Sequence, residues 1–142
     1  MKLFKYFMLG ILFWVVVDFT TVYFPDHPLW EENMPGVWVV YFGYPLIFSV
    51  VFYKWELTGV APIGIMLSFL VLIEIVIVNN PLLLTFPDLL IGMPIAFAIY
   101  MLITYVPKYI VDGECGHRKK EISAYIVVWL ISWLFTAINR IN

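Results

Sequence analysis

Five apolar runs, each about as long as a bilayer is thick, alternate with short polar connectors along this chain. A hydrocarbon core of ~30 Å takes about 20 mostly apolar residues per helix. The runs cover about residues 3–24, 37–53, 62–78, 88–106 and 122–139. Between them lie PDHPLWEENMPG, KWELTGVA, NNPLLLTFP and PKYIVDGECGHRKKE. The pattern predicts an all-α integral membrane protein, one polytopic domain over residues 1–142 built as a single bundle of about five transmembrane helices. Pro45 and Pro94 fall inside runs, where each ring removes a backbone donor and clashes with the preceding turn, so both helices are expected to kink.

Composition agrees with lipid as the solvent. Of 142 residues 63% are hydrophobic and 13% charged, against roughly half and a quarter in soluble domains. Aromatic residues make up 19%, with six Trp and nine Tyr, which suits two interfacial belts. A net charge of −2 leaves no basic footprint for nucleic acid. Cys115 is the single cysteine, so an internal disulfide and a Cys-Cys metal site are excluded. The chain holds no nucleophile elbow, His-Glu-x-x-His or phosphate loop, and nothing in it calls for a cofactor.

Basic residues set the orientation. With the N-terminus inside, Lys2, Lys5, Lys54, Lys108, Arg118, Lys119 and Lys120 face the cytoplasm and Arg140 alone lies outside. That is the positive-inside distribution of an N-in, C-out protein of the cell membrane. The acids Asp26, Glu31, Glu32 and Asp88 fall outside. MKLFKYFMLGILFWVVV has the n-region and h-region of a signal peptide. Asp18, Phe19 and Thr20 then stand where a small-x-small cleavage site belongs, so the segment is read as a span. PLLLTFP, residues 81–87, is too short to cross; it either dips into the outer interface or adds a turn to the fourth helix. Gly92 and Ala96 give that helix a small-xxx-small seam.

Two acids interrupt the runs. Glu74, in VLIEIVIVNN, lies five residues before Asn79, roughly 7 Å below the outer boundary at the helical rise. Asp18 lies six residues before Phe24, roughly 9 Å deep. Carboxylates inside a membrane are costly, face the bundle interior and pair. Candidate partners at that level are Thr21, Asn79, Asn80, Thr136, Asn139 and Arg140, with Arg140 the one cation. Asp88 joins them at the start of the fourth helix, where its plain role is an N-cap. Tyr125, Trp129, Ser132, Thr136 and Asn139 form one stripe on the fifth helix. His27, Glu31 and Glu32 are weak metal candidates whose spacing matches no zinc or calcium motif. Cys115 and His117 are read as part of a loop whose basic residues meet anionic headgroups. Tyr41, Tyr44 and Phe48 are read as core or belt.

Three functions are compatible with this layout. The favoured one is a non-enzymatic accessory or assembly subunit whose intramembrane polar residues pair with its own helices, with a partner membrane protein or with further copies. The second is a small carrier coupled to a proton or cation bound by Asp18 and Glu74. The third is a membrane-embedded enzyme acting on a lipid or isoprenoid, with Glu74 or Asp18 as general acid.

Overall fold

The computed structural model describes the backbone of residues 1–21, 34–77 and 81–141, and the side chains of residues 1–17, 38–77, 83–134 and 138. Among the described residues the chain is all-helical, with five long helices and no strand. α1 is Lys2–Thr21 and α2 is Met34–Tyr53. α3 is Val60–Leu70, and the helix continues as a π-helical segment, Val71–Ile77. α4 is the four-residue turn Pro81–Leu84, α5 is Leu89–Asp112 and α6 is Lys119–Ile141.

α1 lies against both α2 and α5, and α5 also touches α3, α4 and α6. The pairing is antiparallel: the start of α1 meets the ends of α2 and α5 through Tyr6–Phe52 and Lys2–Asp112. α1 and α2 approach most closely at Gly10. A Cβ there would stand 2.8 Å from Pro45 Cβ, so a glycine opposite a rigid ring lets the two backbones close. The core holds Tyr6 and Trp14 of α1, Tyr41, Tyr44, Phe48 and Val51 of α2, Met66 and Leu70 of α3, and Tyr100 and Thr104 of α5. Four of these are tyrosines, a residue expected at belts. They enter the core because their hydroxyls or ring edges find partners there, described below.

The helix limits differ from expectation in three places. α5 does not stop before Pro107 but runs on to Asp112, with Pro107 itself buried. It stops at Gly113, which takes the left-handed φ of 74°. Gly113 N–H donates to Ile110 O and Glu114 N–H to Tyr109 O at 2.8 Å, the paired bonds of a Schellman ending that satisfies the last carbonyls. The third run is α-helical only as far as Leu70; the wider π turn covers VLIEIVI. Residues 81–87 contribute the short helix α4, whose Leu83 is buried, and Leu89 N–H donates back to Thr85 O.

Two helices, Val60–Ile77 and Leu89–Asp112, are long and apolar enough to cross a membrane, with mean hydropathies of 2.6 and 2.1; Trp38–Tyr53 is a shorter apolar helix. Of the 18 residues of Val60–Ile77 four are buried, Pro62, Met66, Leu70 and Ile73, against nine of the 24 in Leu89–Asp112.

Candidate functional site

Four residues of α5, Tyr100, Thr104, Lys108 and Asp112, follow one another at a spacing of four and share one face. Each holds a polar group on another element or on its own helix. Tyr100 Oη donates to Glu74 Oε1 at 3.3 Å. Thr104 Oγ1 and Tyr44 Oη share a hydrogen bond of 2.5 Å. Tyr6 Oη donates to the Thr104 carbonyl at 2.9 Å. Lys108 Nζ and Lys2 Nζ both reach the Asp112 carboxylate, at 2.8 and 2.9 Å. One face of α5 thus carries polar contacts to α1, α2 and the π segment.

Aromatic rings fill the space between these bonds. Trp14 meets Tyr100 edge to face with centroids 5.6 Å apart, and Tyr44 in the same way at 5.1 Å. Tyr41 lies on the other side of Trp14 at 6.1 Å. Tyr44 meets Tyr100 at 5.9 Å and stacks on Phe48 at 4.6 Å. Such pairs add about 0.5–1.5 kcal/mol each beyond area. The indole N–H of Trp14 is buried with no hydrogen-bond partner among the described residues, and Asp18 follows it by one turn along α1.

Glu74 is half-buried on the π segment. The buried residues before it, Pro62, Met66, Leu70 and Ile73, mark the face that α3 and its continuation turn inward. Glu74 sits on the flank of that face. A π turn bonds i to i+5, is rare overall and is found frequently at functional sites; here it coincides with the carboxylate.

At the opposite end of the bundle the charges pair locally. Arg118 bonds Glu121 at 3.0 Å and lies over the Tyr109 ring, while Tyr109 Oη donates to the same carboxylate at 3.0 Å. The Glu121 charge raises the Arg118 guanidinium above its ordinary pKa. Lys108 lies over the Phe52 ring.

Of the residues singled out from sequence, the structure brings Glu74 against Tyr100, one contact from Trp14. It leaves Asp88 exposed in the N-cap position of α5 without a side-chain cap. Asp88 instead accepts a hydrogen bond from Thr85 Oγ1 at 3.3 Å, and its carbonyl bonds Ile91 and Gly92 N–H. Tyr41, Tyr44 and Phe48 lie in the core. Tyr125 and Trp129 of the α6 stripe pack partly buried against it. His27, Glu31, Glu32, Asn79 and Asn80 lie outside the described residues. So do the side chains of Asp18, Thr21, Thr136, Asn139 and Arg140. The described His, Cys, Asp and Glu residues form no group of three able to hold a metal. Sequence reasoning passed over the Tyr100–Thr104–Lys108–Asp112 stripe, whose four-residue spacing was its signal. Comparison with protein-family models, curated proteins and solved structures found no match.

Proposed function

We propose that the chain is a small multi-pass protein of the cell membrane, five helices, N-terminus inside and C-terminus outside, acting as a non-enzymatic accessory or assembly subunit. One observation carries the membrane part: Val60–Ile77 combines a mean hydropathy of 2.6 with only 22% burial. The core helix of a water-soluble protein is apolar because it is covered. This helix is apolar and uncovered, with Val71, Val76 and Ile77 exposed. Meanwhile Tyr6, Tyr44 and Thr104 turn their hydroxyls inward. Polar inside and apolar outside is the arrangement that lipid favours.

The subunit part follows from Glu74. Its carboxylate stands half-buried on the less covered of the two long apolar helices, and the Tyr100 that donates to it packs among the rings of Trp14 and Tyr44. A carboxylate over packed rings suits a fixed contact, within the bundle or with a neighbouring membrane protein, better than a passage for solute. The carrier reading has one observation in its favour: the α5 stripe links Glu74 at one end to Asp112 at the other.

Two measurements test the proposal. Membranes washed at alkaline pH should retain the protein until detergent is added; release into the wash removes the membrane reading. In a Cys115→Ser background, a cysteine at position 142 should react with an impermeant thiol reagent added to intact cells. Labelling only after lysis overturns the C-out topology and the odd number of spans. For function, the wild-type protein in reconstituted vesicles should leave proton or cation flux at the protein-free level, and Glu74→Gln should fold and change nothing. A wild-type flux abolished by Glu74→Gln replaces the subunit reading with the carrier.

A further inference from the structure

The start of α1 and the end of α5 enclose a groove of about 400 Å³ lined by Phe4, Lys5, Met8, Leu9, Ile110 and Val111, within the usual size of a small-molecule site. Five of the six lining residues are apolar, and Phe4, Met8 and Ile110 are exposed. Lys5 supplies the charge. Of the lysines that α1 and α5 carry here, Lys2 and Lys108 are both engaged by Asp112, whereas Lys5 makes no ion pair among the described residues. The order along α1 is informative: Lys5 lies at the level of Phe4, near the helix start, and Met8 and Leu9 lie about one turn further in. A cation at the rim with apolar walls leading inward is the shape of a headgroup and its chain.

We infer that this groove binds one anionic phospholipid, with the phosphate on Lys5 and an acyl chain along Phe4, Met8, Leu9, Ile110 and Val111. The inference rests on the membrane reading above. Charge at this end supports the choice of lipid: Lys2, Lys5, Lys54, Lys108, Arg118, Lys119 and Lys120 outnumber Glu56, Asp112, Glu114 and Glu121. Basic pockets between helices on the cytoplasmic side recognise anionic headgroups, and a lysine stem lies along apolar surface while its ammonium reaches the interface. A zwitterionic lipid offers the same chain but a headgroup with its own cation, so it gains less from Lys5.

The test uses the full chain reconstituted in nanodiscs containing equal phosphatidylglycerol and phosphatidylcholine, then released in mild detergent for native mass spectrometry. One phosphatidylglycerol should remain bound in preference to phosphatidylcholine. Lys5→Gln should lower that preference about fivefold, the worth of one cation near an anionic headgroup. Leu9→Trp, which fills the groove, should remove the adduct, and Lys54→Gln should leave it unchanged. Circular dichroism and gel filtration confirm that each variant is folded. Equal retention of the two lipids, or a phosphatidylglycerol adduct indifferent to both Lys5→Gln and Leu9→Trp, overturns the site. A stably inserted protein with no lipid preference removes the groove proposal alone, whereas a protein that leaves alkaline-washed membranes without detergent removes the membrane reading as well.

Discussion

α5 and the Val60–Ile77 helix are both long and apolar, yet they do opposite work in the fold. α5 buries nine of its 24 residues, and the polar side chains on its Tyr100–Thr104–Lys108–Asp112 face each have a partner on a neighbouring element or one turn away. The Val60–Ile77 helix buries under a quarter, turns a narrow face inward and carries one carboxylate on a π segment. Hydropathy alone does not separate the two. What separates them is where the polar groups fall: in a stripe at intervals of four along α5, and off the buried face, at Ser68 and Glu74, on the other helix. A hub and a peripheral helix can therefore share a composition and differ in pattern.

The sharpest break between them should come from side-chain truncation. Phe48→Ala, at a ring wholly buried against Tyr44, Phe52 and, at the end of α3, Phe69, should lower stability by about 3–5 kcal/mol. Val76→Ala, at an exposed site, should change it by no more than about 0.5 kcal/mol. The midpoint of unfolding by sodium dodecyl sulfate in mixed micelles measures both, and equal midpoints would erase the distinction.

Glycine makes a second pair. Gly10→Ala forces a methyl against Pro45, so overpacking should cost about 1–3 kcal/mol. Gly64→Ala meets nothing within 4 Å and should stabilise its helix by up to about 1 kcal/mol. Opposite signs in the same assay would confirm that α1 and α2, and not α3, set the closest approach.

Hydroxyls make a third. Thr104→Val leaves the buried Tyr44 hydroxyl without its partner and should cost about 1–2 kcal/mol. Ser68→Ala removes an exposed bond to the Gly64 carbonyl and should fall within about 0.5 kcal/mol. The smallest effect belongs to Glu74→Gln. The amide oxygen still accepts from Tyr100, so the midpoint should move by under about 0.5 kcal/mol. A larger loss would mean that the charge itself holds the π segment in place.

Much of this was legible before any coordinates. The five long helices follow from the apolar runs, and Glu74 from being an acid in one of them. The extension of α5 past Pro107 is not legible from the apolar run, which ends there; its sequence signal is Gly113, a residue suited to the left-handed ending that follows Asp112. The polar stripe on α5 was missed for another reason. Tyr100 and Thr104 carry no formal charge to mark them in an apolar run, and a tyrosine suits an interfacial belt as well as the core that Tyr6, Tyr44 and Tyr100 occupy. The π segment had no sequence signal, since it depends on a shift in backbone register and not on residue type. The proposed meeting of Asp18 and Arg140 with Glu74 involves side chains outside the described residues.

The contact between Lys2 and Asp112 spans 110 residues, and that between Tyr6 and Thr104 spans 98. A ribosome adding roughly 5–20 residues per second makes these partners several seconds apart. α1 can close on α2 early, at Gly10 and Pro45, but its tyrosine and its first lysine wait for α5. A helix made well before α5 thus completes its hydrogen bonds only once α5 has been made. Folding of this chain is timed by the arrival of its fourth long helix.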